Sequence, residues 1–185
     1  MRNLRILPAL LCVLLAACAR REPLPVLGRI PPFQLISQNG EMFDSKSLEG
    51  HVWVADFIFT TCAGPCPMMT SHFHRIQALT ADTPEVKLVS FTVDPEHDTP
   101  AVLAGYAKQF KAEPERWYFL TGAQGRLNDL GLHAFHLNSV DGSLIHSTRF
   151  ALVDRSGQIR GYYMTSEDGF MKRLLGDIRR LEREK

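Results

Sequence analysis

Val52-Trp53-Val54-Ala55-Asp56-Phe57-Ile58-Phe59 runs directly into Thr60-Thr61-Cys62-Ala63-Gly64-Pro65-Cys66-Pro67. The first half is almost continuously apolar and rich in β-branched and aromatic side chains, which predicts a mostly buried strand. The second half carries turn residues and then Pro67, which suits the first position of a helix; Met69, Phe73, Ile76 and Leu79 follow at helical spacing. The junction therefore predicts a strand, a loop holding Cys62, and a helix with Cys66 at its N-cap. Unpartnered backbone N–H groups and the positive end of the helix dipole favour negative charge there, so the thiols are expected to ionise more readily than in an apolar core. Such a pair serves soft-metal binding, disulfide exchange or both.

On the N-terminal side, Phe33-Gln34-Leu35-Ile36 and Glu41-Met42-Phe43 flank Gln38-Asn39-Gly40, a hairpin signal. On the C-terminal side, 86–93 reads as a second buried strand, and Thr99-Pro100 caps and opens a helix with Leu103, Tyr106, Ala107 and Phe110 on one stripe. A short strand is expected over 117–120 and a short helix over 126–130, closed by Gly131. Segments 148–153 and 158–163 pair as a hairpin across Asp154-Arg155-Ser156-Gly157, and Met171, Leu174, Leu175 and Ile178 mark the last helix. This order predicts an α/β fold with a central mixed sheet flanked by helices. With a cysteine pair at the end of the first buried strand, it resembles the thioredoxin fold.

The first residues address the compartment. Two arginines lie within residues 1–5, the stretch 6–17 is almost wholly apolar, and Leu15-Ala16-Ala17-Cys18 closes it. This is the anatomy of a secretory signal ending in a bacterial lipobox, and the apolar stretch falls short of the roughly 20 residues a spanning helix needs. The chain thus divides into a signal peptide (1–17), a proline- and arginine-rich tether anchored by lipid on Cys18 (18–32) and one domain (33–185). Cleavage before Cys18 removes Cys12 and leaves Cys62 and Cys66 as the thiols of the domain, with one disulfide available between them. That is too sparse for a stapled scaffold in a chain of this size. With 21 Lys+Arg against 20 Asp+Glu and no basic run before the last helix, nucleic acid is not an expected partner.

Three segments resemble the Sco (SenC) family. These are 57–67 with its C-x-x-x-C-P arrangement, Phe91-Thr92-Val93-Asp94-Pro95-Glu96-His97-Asp98-Thr99-Pro100, and the run 146–157 that starts His146-Ser147 and ends in the Asp154 to Gly157 turn. They occur in the family's order on the expected elements. The chain departs from the family between the cysteines, where Ala63-Gly64-Pro65 replaces the usual proline and acidic residue.

The resemblance implies a membrane-tethered, periplasm-facing lipoprotein of the bacterial cell envelope. It would bind copper through Cys62, Cys66 and His146 and deliver it to the binuclear copper site of a cytochrome c oxidase subunit during assembly. Another copper chaperone or a thiol reductant would be a further partner. The ligand types suit this role, since thiolates favour Cu(I) and an added imidazole lets the site hold Cu(II) as well.

The competing function is an envelope thiol-disulfide oxidoreductase that keeps oxidase cysteines reduced, with Cys62 attacking and Cys66 as its disulfide partner. A peroxidase would use one cysteine beside Thr60 and Thr61, leaving Cys66 and His146 without a role. Zinc is disfavoured because a closed structural site takes four ligands and three converge here. Among the other candidates, His72 and His74 are expected to face solvent, and His133 and His136, at i, i+3 spacing, are candidates for a second metal site. Met68 and Met69 belong to the helix and its rim, and Asp94 and Asp98 organise a turn and a helix start.

Overall fold

The computed structural model describes residues 22–137, 144 and 147–184. The signal region, Cys18 and His146 lie outside the described residues. Eight strands form one mixed sheet in the order β1-β8-β7-β4-β5-β6-β2-β3. They are β1 (Gly28–Arg29), β2 (Gln34–Ser37), β3 (Met42–Asp44), β4 (Trp53–Ile58), β5 (Lys87–Thr92), β6 (Trp117–Thr121), β7 (Arg149–Val153) and β8 (Gln158–Met164). The helices are α1 (Cys66–Leu79), α2 (Pro100–Gln109), α3 (Gln124–Asn128) and α4 (Phe170–Arg183). Crossovers through α1 and α2 make β4, β5 and β6 parallel, while β7 runs antiparallel to β4 on its other side. The expected α/β architecture is the one observed.

β4 is buried along its whole length because helical layers cover both faces of the sheet. Alternation sends Val54 and Ile58 to one side, where they meet Met69, Phe73 and Ile76 of α1, Leu103 of α2 and Leu174 and Ile178 of α4. Trp53, Ala55 and Phe57 point to the other side, into a core with Val89, Phe91 and Phe135. There the Phe57 and Phe91 rings stack at 5.1 Å, and Phe135 packs against them at 5.5 and 5.4 Å. Each such buried ring contributes about 1.5–3 kcal/mol by leaving water.

Several boundaries differ from the sequence reading. α1 begins at Cys66 itself, and Pro65 occupies the N-cap position without any side-chain cap. The capping role expected for Cys66 is thus not what the fold gives it. Leu79 stays 44% exposed at the last turn of α1, whereas Ile76 is buried. The short helix expected at 126–130 begins earlier, as α3, and continues as a π-turn over Asp129–Ala134. Gly131 lies buried within that turn instead of ending it, and Phe135 N–H reaches back to the Leu130 carbonyl at 2.8 Å. The wider turn delivers Phe135 to the aromatic core.

The expected tether is part of the domain from Leu24 onward. Arg160 donates to the carbonyls of Leu24 at 2.6 Å and Pro25 at 3.1 Å, Leu27 N–H donates to Ile159 at 2.8 Å, and β1 pairs with β8. Prolines suit this place because the segment lies at the outer edge of the sheet, beyond β8: lacking some N–H groups, it still offers carbonyls to a buried guanidinium. No helix among the described residues is long and apolar enough to cross a membrane.

Candidate metal and thiol site

β4 leaves the sheet between two cores, and the chain must turn at once so that α1 can lie back over the strand. The turn is closed by Cys62 N–H donating to the Phe59 carbonyl at 3.3 Å. Cys62 is half-buried, and its Sγ accepts from Gly64 N–H at 3.3 Å. Such a bond stabilises negative charge on sulfur. Ala63 and Gly64 beside it are exposed, so Cys62 is the sulfur that an incoming partner or ion meets.

Cys66, in the first turn of α1, is 0% exposed and packs with Ile58, Met69 and Phe73. Its thiol lies within hydrogen-bonding range of the Phe59 main chain and of the Cys62 side chain. Burial pushes the Cys66 thiol far up, and the Phe59 bond offsets this only in part. The expectation that both thiols ionise readily is therefore corrected for Cys66: desolvation outweighs the helix terminus. No disulfide joins the two cysteines in this structure. They form an asymmetric pair, one sulfur at the surface and one beneath it.

Polar groups that the sequence reading passed over surround Cys66. Tyr106 OH donates to Thr70 Oγ1 at 3.0 Å, and Thr70 OH donates in turn to the Cys66 carbonyl at 2.9 Å. Burial first, together with the nearby thiols and carboxyl, pushes the Tyr106 hydroxyl up to about 12. Asp56 on β4 is 0% exposed, and neither carboxyl oxygen has a hydrogen-bond partner among the described residues. The Ser90 hydroxyl, which accepts from Trp117 Nε1–H at 3.1 Å, keeps its own proton to offer and favours the carboxylate in part. Burial dominates and raises Asp56 from 3.8 to about 7. One sequence signal could have exposed it: an acid inside an otherwise apolar strand.

Asp98 is also fully buried, but its carboxylate is satisfied. Thr60 OH donates to Oδ1 at 2.5 Å, Thr92 OH to Oδ2 at 2.5 Å, and Thr60 N–H to Oδ2 at 3.2 Å. The structural role expected of Asp98 holds, and it acts directly on the cysteine loop. Asp94 has the smaller turn role expected, accepting from His97 N–H at 3.4 Å.

The remaining candidates separate. Met69 is core and Met68 is 51% exposed. His72 and His74 are half-buried, a correction to the solvent-facing expectation; the His72 ring meets Phe170 edge-on at 4.9 Å, and burial lowers its pKa. α4 covers that side of α1, which the spacing of α1 alone does not reveal. His133 and His136 are exposed at the π-turn, and His136 Nδ1 pairs with the Leu132 carbonyl at 3.1 Å. Among the described residues no three His, Cys, Asp or Glu side chains come together to hold a metal.

A family model described as SCO1/SenC matches residues 27–181. The chain is 33% identical over 177 residues to the SCO1 protein homolog of Bacillus subtilis (strain 168), covering 92% of each. It superimposes with a TM-score of 0.76, at 32% identity and over 87% of its length and 98% of the other, on BsSco, a member of the Sco family of cytochrome c oxidase assembly proteins in which a disulfide switch was identified. Copper-bound ScoI of Bradyrhizobium japonicum aligns with a TM-score of 0.64 at 26% identity, over 83% of this chain and 99% of that one.

Proposed function

Since the chain belongs to the SCO1/SenC family, we propose that it binds copper through Cys62, Cys66 and His146 and hands it to the binuclear copper site of cytochrome c oxidase during assembly. The observation that carries this reading is the pair of neighbouring sulfurs at the exit of β4, one accessible at Cys62 and one buried at Cys66. Two thiolates suit Cu(I), and an imidazole from His146 would supply the nitrogen that Cu(II) requires. Copper is cargo here, so the accessible sulfur is also the route by which it leaves. Burial favours the protonated Cys66 thiol, so loading copper there displaces a proton.

The chain would work in the cell envelope as a lipoprotein tethered through Cys18. A mature protein whose N-terminal mass shows no lipidated Cys18 would exclude this placement. The signal peptide at 1–17 and the tether anchored at Cys18 belong to the same proposal, with the tether ending at the latch on Leu24 and Pro25 instead of at Pro32.

The asymmetric pair favours a second reading, thiol-disulfide exchange. Cys62 as thiolate would attack a disulfide of the partner and form a mixed disulfide. Cys66 would then resolve it, leaving the Cys62–Cys66 disulfide here and a dithiol on the partner. Anaerobic titration of the reduced protein with Cu(I) and Cu(II) separates the readings. One copper per chain is expected, abolished in the Cys62→Ser, Cys66→Ser double variant, with His146→Ala weakening Cu(II) more than Cu(I). Undiminished copper binding by the double variant would sink the copper site. Normal oxidase assembly in a His146→Ala strain, with failure in a cysteine variant, would favour exchange.

A further inference from the structure

The Asp98 carboxylate sits where two parallel strands end and two functional loops begin. Thr60 lies two residues after β4 and two before Cys62; Thr92 closes β5 and leads into Asp94-Pro95-Glu96. One carboxylate joins them. Thr60 N–H lies 3.4 Å from Oδ1 and 3.2 Å from Oδ2, while the Thr60 and Thr92 hydroxyls donate at 2.5 Å to Oδ1 and Oδ2 respectively. Thr92 Oγ1 also accepts from Asp94 N–H at 2.9 Å, which extends the network into the second loop. That loop lines a cavity with Gln124 and Leu144, and Leu144 lies two residues before His146. No ion pair to Asp98 occurs among the described residues, so these donors and the N-terminus of α2 are what offset a fully buried carboxylate.

From this geometry we infer that Asp98 is a positioning residue for the copper site, holding the Cys62 loop in register with the loop that leaves β5. The inference rests on the copper reading above and deepens it. Cu(I) held by two sulfurs tolerates a shifted histidine, whereas Cu(II) depends on sulfur and nitrogen arriving together. The hub therefore bears chiefly on the Cu(II) form. Asp98→Asn removes the charge and turns one acceptor into a donor: whichever way the amide sits, one hydroxyl must reverse, and Thr60 N–H keeps only one of the two oxygens it spans.

The test compares Asp98→Asn, Thr60→Val and Thr60→Ser in the full chain. Asp98→Asn and Thr60→Val should weaken Cu(II) by about 10-fold and shift or diminish its thiolate absorption, the scale expected when a group behind a metal ligand is lost, while Cu(I) affinity changes by less than about 3-fold. In the metal-free reduced protein both should alter the rate at which iodoacetamide alkylates Cys62. Thr60→Ser keeps the hydroxyl and should restore wild-type behaviour in every measurement. Unchanged Cu(II) spectra and alkylation rates in both disruptive variants would overturn the inference. So would equal losses of Cu(I) and Cu(II) that merely track a lower Tm. Should the wild type bind no copper, the copper reading fails, and the alkylation rates of Cys62 still decide whether Asp98 positions the loop.

Discussion

At the residue scale, two buried carboxyls on adjoining elements have opposite fates. Asp98 collects three donor contacts and serves the site, while Asp56 has no hydrogen bond among the described residues and burial outweighs the help of the nearby Ser90 hydroxyl. With Asp56 raised from 3.8 in the open chain to about 7 in the fold, the native state holds a proton that the unfolded state releases between those values. Its contribution to stability is thus fully present below pH 4 and is lost as pH rises through 7. Asp56→Asn should remove that slope. In urea denaturation the variant should gain on the wild type as pH rises from about 4 to about 7, by up to about 4 kcal/mol for a shift of this size. Parallel pH profiles for the two proteins would show that Asp56 does not titrate in this way. Cys66 works in the opposite direction at the site: its raised thiol makes copper compete with a proton, so apparent copper affinity should climb with pH.

At the element scale, the π-turn after α3 has the clearest energetic consequence. It is one residue per turn wider than an α-helix, and its end places Phe135 against Trp53 at 5.9 Å as well as against Phe57 and Phe91. Phe135→Ala would open a cavity beneath the strand that carries the cysteine loop. The expected cost is about 3–5 kcal/mol, read as a lower Tm and urea midpoint, with the loss of near-ultraviolet circular dichroism shared among the neighbouring rings. A cost below about 1 kcal/mol would mean that the turn collapses to fill the space. Elsewhere, element ends obey local rules. Thr99 accepts from Val102 N–H at 3.4 Å to cap α2, and Gly157, at φ 75°, takes the left-handed position that closes the β7–β8 turn on the Asp154 carbonyl at 3.0 Å.

At the scale of the whole molecule, the N-terminal strap, strand β8 and the end of α4 are joined by one buried side chain. Arg160 donates to Asp154 at 2.8 Å, Glu184 at 3.4 Å, and the Leu24 and Pro25 carbonyls. Replacing it removes the strap's strongest partner and leaves the Asp154 carboxylate without its cation. Arg160→Met is expected to lower stability by roughly 3–5 kcal/mol and to make the segment before Gly28 sensitive to limited proteolysis. An intact strap in that variant would show that the β1–β8 pairing holds it unaided. Through this latch the packed chain begins at Leu24, ahead of the tether end expected at Pro32.

Periodicity and local chemistry were enough to draw most of the elements: the buried run of β4, the 3.6-residue spacing of α1 and α4, the Thr99-Pro100 helix start, and the Asp154 to Gly157 turn. They also located Cys62 and Cys66 and the family resemblance, because these are properties of neighbouring residues. Burial was decided by what packs on top. Nothing between 62 and 66 states that one sulfur is accessible and the other enclosed, or that burial would raise the thiol where a helix terminus would lower it. The long-range bonds were equally hidden. Thr60 and Asp98 are 38 residues apart, and Arg160 and Pro25 are 135 apart, so their meeting depends on strand order and crossover, which no local pattern encodes. The chain sequence carried the reactive groups; the closing of the sheet and its helical layers set their solvation and their distances.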